Sequence, residues 1–205
     1  ANLVITGRNV KKLEAAKQEL ESLYGIKVLT VQADVCAGGD NEATVANVVK
    51  QAVDTFGGIQ VLINNAQASA SGVPLTEHTT EQFDLAIYSG LYAAFYYMKA
   101  CYPYLAESHG SVINFASGAG LFGNFGQSAY AAAKEGIRGM SRVAATEWGK
   151  VVFALGAGII TMLIRNSSGG YPEGVSFAIL LMNIVCPHLN KIGAKKPFGV
   201  GGAEK

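Results

Sequence analysis

Short apolar runs alternate with longer segments of helical periodicity along this chain, and that alternation restricts the folds open to it. The apolar runs cover residues 3–6, 26–33, 61–63 and 112–116. The periodic segments cover residues 10–24, 42–56, 80–105 and 128–148. Runs of this length are typical of buried strands, and strand–helix–strand crossovers give parallel strands. We therefore predict an α/β fold in three layers, with one parallel sheet and helices on both of its faces.

Residues that favour helix ends lie at the expected boundaries. Asn9 is suited to cap the first helix, and Gly25 follows its end. Gly57 follows the second helix, and Thr80 is suited to cap the long third one. These residues support the boundaries that periodicity alone suggests.

Polar residues stand at the carboxyl end of each predicted strand. They are Arg8, Asp34, Asn64, Asn65 and Ser117. In open α/β sheets, ligands bind in the crevice beyond the carboxyl ends of the strands. The positions of these side chains therefore predict a ligand site at that edge of the sheet.

Tyr130 and Lys134 are one helical turn apart, so their side chains share a face. A nearby ammonium group favours the phenolate and lowers the pKa of a tyrosine, which is otherwise about 10. Tyr130 could then exchange a proton with an alcohol or a carbonyl oxygen. Ser117, at the end of the preceding strand, could donate a hydrogen bond to that oxygen. A tyrosine and a lysine at this spacing also occur by chance in many helices, so the pair alone does not define a site.

The segments INFASGAG, YAAAK and NNA together resemble the short-chain dehydrogenase/reductase family, over about residues 1–150. The resemblance implies a Rossmann-like sheet and hydride transfer between a nicotinamide cofactor and a carbonyl or alcohol. It also implies a catalytic set of Ser117, Tyr130 and Lys134, with Lys134 additionally holding the ribose of the cofactor. Tyr130 and Lys134 thus belong to both the catalytic and the cofactor-binding groups.

The same resemblance assigns further residues to the cofactor. Arg8 would meet the adenosine 2′-phosphate, which favours NADP over NAD, and Asp34 would lie beside the adenine. Asn64, Asn65 and Ala66 match the start of the family's NNAG segment. Simpler interpretations remain open: Arg8 is a solvated surface residue, Asp34 a turn residue, and the two asparagines a brace between neighbouring strands.

Two features depart from the family pattern in the cofactor region. In that family a strand, a Gly-rich turn and a helix precede a segment like LVITGRN, so we expect this chain to lack its first βα unit and its sheet to be incomplete at the N-terminus. Gly118, Gly120 and Gly123 match GxGxxG, but no acidic residue follows about twenty positions later. We interpret this second Gly-rich segment as a substrate-side loop.

Two further departures affect residues near the catalytic set. Gln67 stands where the family has the glycine of NNAG. Gly90 stands where the family has an asparagine that continues a proton relay to the lysine. Without that amide, the relay would depend on water or on Ser89.

Composition narrows the possible partners. The formal net charge is +1 and the basic residues are dispersed, so neither nucleic acid nor a membrane surface is expected as a partner. The three cysteines are isolated and the three histidines are far apart, so we expect reduced thiols and no metal site. With no signal segment visible, we expect a cytoplasmic protein. The resemblance also implies a homodimer or homotetramer, in which helices 80–105 and 128–148 pair between subunits.

Residues beyond 150 match the family poorly. We predict a single domain over residues 1–190, of which 151–190 are divergent, and a flexible tail over residues 191–205. The substrate, a small carbonyl or alcohol compound, cannot be named, because its binding depends on this divergent part.

Three hypotheses for function follow. The first is an NADP-linked oxidoreductase of the short-chain type. The second is a catalytically inactive binding or scaffold protein without a competent cofactor site, as the missing Gly-rich unit, Gln67 and Gly90 would suggest. The third is an epimerase acting on nucleotide sugars with the same Tyr–Lys pair, which would need a larger substrate domain.

Overall fold

Parallel strands joined by helices make up the part of the chain that the structure describes. This computed structural model describes residues 1–148 and the backbone of residues 152–154. The strands are β1 (Leu3–Gly7), β2 (Val28–Gln32), β3 (Val61–Asn64), β4 (Ser111–Asn114) and β5 (Val152–Ala154). The α-helices are α1 (Val10–Tyr24), α2 (Asn41–Phe56), α3 (Thr80–Ala86), α4 (Ala93–Ser108), α5 (Gly118–Phe122) and α6 (Ser128–Glu147). The predicted α/β class is confirmed.

The described strands form two parallel sheets. β1 pairs with β2, and β3 pairs with β4, which in turn pairs with β5. Among these strands, β4 alone has neighbours on both sides, and Val61 and Ile63 on the edge strand β3 are 52% and 54% exposed. The continuous sheet predicted from the sequence is therefore divided, in the described part, between β1 and β3.

Local signals set most helix ends. The side chain of Asn9 accepts a hydrogen bond from the amide of Lys12, and Gly25 ends α1 in the left-handed region at φ 61°. Gly57 ends α2 in the same way at φ 80°. The third helix is capped by Thr79 rather than by Thr80, because Thr79 forms a reciprocal capping box with Gln82.

The long third helix predicted over residues 80–105 is interrupted. α3 ends at Ala86, a π-helical turn covers Ile87–Tyr92, and α4 follows without a break in the chain. The second strand is also shorter than the predicted residues 26–33, since β2 covers Val28–Gln32. The π-helical turn matters for function, because such turns occur frequently at functional sites.

The main core lies between α2, α4, α6 and β4. Its fully buried members include Val45 on α2, Leu105 on α4 and Val112 on β4. The same core also includes Ala144 on α6 and Met98 on α4. This packing fixes α6, the helix that carries Tyr130 and Lys134, against the central strand β4.

Gly110 connects α4 to β4 at a very close approach of the backbone. A Cβ atom there would lie 2.4 Å from the carbonyl oxygen of Gln60 and 2.9 Å from Cδ2 of Leu105. Since a backbone carbonyl cannot turn aside, we expect Gly110→Ala to lower the free energy of unfolding by about 1–3 kcal/mol. Urea denaturation would measure the change. Gly139→Ala is the matched control, because a Cβ on Gly139 meets nothing within 4 Å, and equal stability of the two variants would contradict the prediction.

Candidate active site

A cavity of about 460 Å³ lies at the carboxyl ends of β1 and β2 and beside the segment that follows β3. Its volume is within the range of roughly 300–1,000 Å³ that is usual for small-molecule sites. The walls combine apolar side chains from Val35, Leu85 and Tyr88 with polar groups from Arg8 and Asp34. The edge of the sheet that the sequence predicted to bind a ligand is thus concave and partly apolar.

Three of the predicted cofactor residues line this cavity: Arg8, Asp34 and Ala66. Arg8 brings a positive charge to the wall, whereas Asp34, Glu81 and Asp84 bring negative charges. A guanidinium group suits a phosphate, and the carboxylates suit hydroxyl or amino groups. Arg8 is therefore the group in the described wall that suits a phosphate.

Asn64 and Asn65 are absent from the described wall of the cavity. Asn64 instead donates from Nδ2 to Oδ1 of Asn114 at 2.8 Å, and Asn114 donates from Nδ2 to Oγ of Ser141 at 2.7 Å. Asn114 is 1% exposed, so this chain of hydrogen bonds lies in the interior. It ties β3 to β4 and to α6, which is the bracing role that the sequence left open for Asn64.

Tyr130 and Lys134 lie together on α6, as their spacing predicts. The ammonium nitrogen of Lys134 is 5.6 Å from the centroid of the Tyr130 ring. Lys134 is only 4% exposed, and burial lowers its pKa to about 8. At neutral pH the group is still mostly protonated, so a positive charge lies beside the phenol in a desolvated place.

Ser117 caps α5, a short helix over the segment that the sequence predicted to be a loop. The hydroxyl of Ser117 accepts a hydrogen bond from the amide of Ala119 at 3.2 Å. The hydroxyl hydrogen has no acceptor among the described residues and is available to a ligand. Serine favours this N-cap position, which explains why the Gly-rich segment starts a helix there.

Helices α5 and α6 pack closely. A Cβ atom on Gly120 would lie 2.9 Å from Cγ of Glu135, which forms an ion pair with Arg138 on α6. The packing holds the Ser117 cap beside the helix of Tyr130 and Lys134. None of these three residues is in the described wall of the 460 Å³ cavity, so the structure places the catalytic candidates and the Arg8–Asp34 cavity in two separate groups.

Sequence reasoning missed the contribution of the π-helical region to the cavity. Tyr97 lines the cavity, as does Thr6 at the end of β1. Burial raises the pKa of Tyr97, and the Thr6 contact opposes that shift. Gln67, Tyr88 and Ser89 line the same cavity. In the sequence, tyrosines recur at helical spacing at Tyr88, Tyr92, Tyr96 and Tyr97, but the spacing does not show which face of the helix meets the sheet.

The described residues fit a dinucleotide at its adenosine end. Arg8 provides a cation, and Val35 and Ala66 provide apolar walls in one cavity. The cofactor assignment therefore depends on this cavity.

No cluster of three or more metal-ligating side chains occurs in residues 1–148, and no helix of the described part is long and apolar enough to cross a membrane.

Known proteins resemble this chain over most of its length. It is 62% identical over 179 residues to 12alpha-hydroxysteroid dehydrogenase from Clostridium sp., covering 84% of this chain and 68% of that protein. It is 36% identical over 151 residues to (2S)-[(R)-hydroxy(phenyl)methyl]succinyl-CoA dehydrogenase subunit BbsD from Thauera aromatica, covering 73% of this chain and 58% of that protein. Its sequence thus spans between about three fifths and two thirds of these two relatives.

Solved structures show the same fold. An alcohol dehydrogenase from Thermococcus sibiricus, complexed with 5-hydroxy-NADP, superposes with a TM-score of 0.73 at 20% identity, over 90% of this chain and 80% of that one. A metagenomic short-chain oxidoreductase in complex with NADP superposes with a TM-score of 0.72 at 24% identity, over 90% of this chain and 78% of that one. At these identities the comparison establishes the Rossmann-like α/β fold.

Two family models match the chain. The model of the NQR2, RnfD, RnfE family matches residues 137–199. It covers less than half of the chain. Apart from β5, the predicted divergent segment 151–190 and the tail 191–205 lie outside the described residues. The model of the short chain dehydrogenases matches residues 1–166. On that match and on the 62% identity over most of its length, this chain belongs to the short-chain dehydrogenase family of oxidoreductases, which act on CH–OH groups.

Proposed function

We propose that the chain transfers a hydride between NADP(H) and a hydroxysteroid, interconverting a secondary alcohol and a ketone. The observation that carries the proposal is the buried ammonium of Lys134, 5.6 Å from the ring of Tyr130 and with its pKa lowered to about 8. A buried cation beside a phenol is the arrangement that proton transfer by Tyr130 would use.

Three side chains divide the proton chemistry between them. A bound nicotinamide would supply the hydride acceptor for the alcohol and the hydride donor for the ketone. Tyr130 takes the hydroxyl proton as the alcohol is oxidised and donates a proton to the oxygen in the reverse direction. Ser117 donates its free hydroxyl hydrogen to the same oxygen, and Lys134 stabilises the phenolate and holds the ribose. Asn65 and Ala66 would bind the cofactor from the segment after β3.

The substrate class is proposed from the hydroxysteroid dehydrogenase to which the chain is 62% identical. An apolar group around α5 is consistent with it. Leu121, Phe122 and Phe125 follow Ser117 and are 36%, 76% and 83% exposed. A steroid skeleton buries a large apolar area, and aromatic side chains of this size can cover it at the mouth of the site.

A direct assay tests the proposed function. The purified chain is mixed with NADP and a 12α-hydroxysteroid, and reduced nicotinamide is followed by its absorbance. The matched control replaces the steroid by its 12β epimer, which presents the same apolar skeleton with the hydroxyl on the other face. Oxidation of the 12α compound alone would support the proposal. No turnover of either steroid, with NADPH binding intact, would overturn the substrate class.

Arg8 provides the proposed preference for NADP. Because it is the cation in the described wall of the cavity, we expect Arg8→Gln to weaken NADPH binding by about 10-fold and to leave NADH binding almost unchanged, as loss of one charged hydrogen bond would do. Titrations that follow nicotinamide fluorescence would give both dissociation constants. Lys12→Gln, an exposed substitution on α1, is the control. Equal weakening of NADPH and NADH would show that Arg8 does not contact the 2′-phosphate.

We also propose a homodimer or homotetramer and a single catalytic domain over residues 1–190. Exposed apolar side chains on the π-helical turn, α4 and α6 support the assembly: Tyr92, Phe95, Tyr102 and Val143 are 36–55% exposed. Apolar and aromatic residues of this kind are enriched at subunit interfaces. Light scattering that showed a monomer at micromolar concentration would contradict it.

One observation favours a second candidate function, that of a catalytically inactive binding protein. The cavity that holds Arg8 and Asp34 includes none of the three catalytic candidates in its described wall. Saturable NADPH binding without turnover of any steroid alcohol or ketone would support this second candidate over the first.

A further inference from the structure

Gly90 and Gln67 occupy a single space. A Cβ atom built on Gly90 would lie 2.6 Å from both Cδ and Nε2 of Gln67 and 3.0 Å from its Oε1. These distances are well below van der Waals contact, so the side-chain amide of Gln67 stands where any side chain at position 90 would have to stand. The two residues are 23 positions apart, one after β3 and the other in the π-helical turn.

The amide of Gln67 is bound to the same turn. Its Nε2 donates to the carbonyl oxygen of Ala86 at 3.3 Å, at the point where α3 passes into the π-helical turn. The neighbouring residue is held as well, because the amide of Ala68 donates to Oγ of Ser89 at 3.0 Å. Two consecutive residues after β3 are therefore fastened to the turn by side-chain hydrogen bonds.

One atom of this arrangement has no partner. Oε1 of Gln67 is buried and accepts no hydrogen bond from the described residues. A buried amide oxygen costs free energy unless a water or a ligand supplies the donor that the protein lacks. Gln67 also lines the cavity, so its amide lies between the cavity and the π-helical turn.

The π-helical turn also contacts α6, the helix that carries Tyr130 and Lys134. A Cβ atom on Gly136 would lie 2.8 Å from Cδ2 of Leu91, so the turn packs directly against α6 two residues after Lys134. Interiors are close-packed and transmit displacements between neighbouring elements. A change in the π-helical turn must therefore move α6 or open a gap beside it.

We infer that Gln67 is a positioning residue: its amide replaces the absent side chain of residue 90, holds the π-helical turn in shape and thereby fixes α6 with Tyr130 and Lys134. The two sequence departures, a glutamine at 67 and a glycine at 90, are then one compensated change. The inference deepens the proposed function and rests on it for its kinetic consequences. Its structural part stands on the contacts alone.

A double-mutant cycle tests the coupling. Gly90→Ala introduces a Cβ where the flexible end of Gln67 lies, so we expect it to expel the amide; Gln67→Ala removes the amide directly. Each single variant should lower kcat by roughly 10-fold at unchanged KM, since displacement of about 1 Å at reacting groups has effects of this order or larger. Because both remove the same amide, the double variant should lose no more than Gln67→Ala alone. Gly139→Ala, on α6 with open space around it, is the control and should keep wild-type kcat.

A rescue variant separates positioning from general damage. In Gln67→Ala with Gly90→Asn, the amide is supplied from the helix into the emptied space, and we expect kcat to return to within about threefold of wild type. Losses that multiply in the double variant, or a rescue variant no better than Gln67→Ala, would overturn the inference.

Thermal unfolding makes the test independent of turnover. We expect each single variant to lower the midpoint by roughly 2–5 °C, and the double variant to show the same non-additivity. If the wild-type chain proves inactive, the proposed function fails while this stability cycle still decides whether Gln67 and Gly90 act as a unit. If Gly90→Ala does not fold, two other variants give the same decision. The single variant Gln67→Ala is then compared with the double variant that carries Gln67→Ala and Gly90→Asn, because neither introduces a side chain into occupied space. Additive midpoint shifts, or no rescue, would overturn the inference.

Discussion

Tyr130→Phe is expected to lower kcat for the alcohol by about 10²–10⁴-fold, the range that general acid–base catalysis contributes. The substitution removes one oxygen and keeps the ring that faces Lys134 at 5.6 Å. No other described residue near the Ser117 cap is prepared in the same way, with a buried cation beside a proton-exchanging group. The loss should therefore fall on the chemical step.

Binding should separate this effect from structural damage. We expect the NADPH dissociation constant of Tyr130→Phe to stay close to that of wild type in a fluorescence titration, because the phenol oxygen is small and α6 keeps its packing. Tyr24→Phe is the matched control, since Tyr24 is 67% exposed at the end of α1 and should keep full kcat. A Tyr130→Phe variant with wild-type turnover would remove Tyr130 from the mechanism.

Local signals in the sequence were enough to predict the fold class and most helix ends. Asn9, Gly25 and Gly57 act through hydrogen bonds and backbone angles within one turn of the residues that they cap. The family resemblance and the α/β fold are confirmed for the same reason: they depend on patterns that adjacent residues carry. Thr79 replaced the predicted Thr80 because the capping box needs Gln82 exactly three positions later.

Features that depend on distant contacts could not be predicted. The π-helical turn at Ile87–Tyr92 follows Ala86, whose carbonyl oxygen accepts a hydrogen bond from the distant amide of Gln67, whereas periodicity alone predicted one continuous helix. Asn64 meets Asn114 across 50 positions, so the sequence left open both its bracing role and its assignment to the cofactor. The roles of Ser117, Tyr130 and Lys134 remain predictions that the kinetic experiments test.

Substitution of Lys134 gives the second large expected effect: kcat falls while the free energy of unfolding rises. Lys134→Met removes the buried cation beside the Tyr130 ring, so under the proposed mechanism we expect kcat at pH 7 to fall by about 10²-fold or more. The same change removes a buried ammonium whose pKa is lowered to about 8, and methionine fits a helix interior well. The free energy of unfolding at pH 7 should therefore rise, by on the order of 3 kcal/mol if the whole desolvation cost is recovered.

The change of stability with pH follows from the direction of the Lys134 pKa shift. The pKa of Lys134 is about 8 in the folded chain and near 10.5 when unfolded, so folding releases a proton between these values. The stability cost is therefore fully present below pH 8 and disappears as the pH rises towards 10.5, and the gain of Lys134→Met should shrink over the same interval. Wild-type kcat that depends on the charged lysine should fall as the pH passes about 8. Urea denaturation and steady-state rates between pH 6 and 10 would measure both, with Lys50→Met, whose side chain is 72% exposed, as the control. A Lys134→Met variant that loses stability at pH 7 would show that the ammonium stabilises the fold, and that its burial is not a cost borne for catalysis.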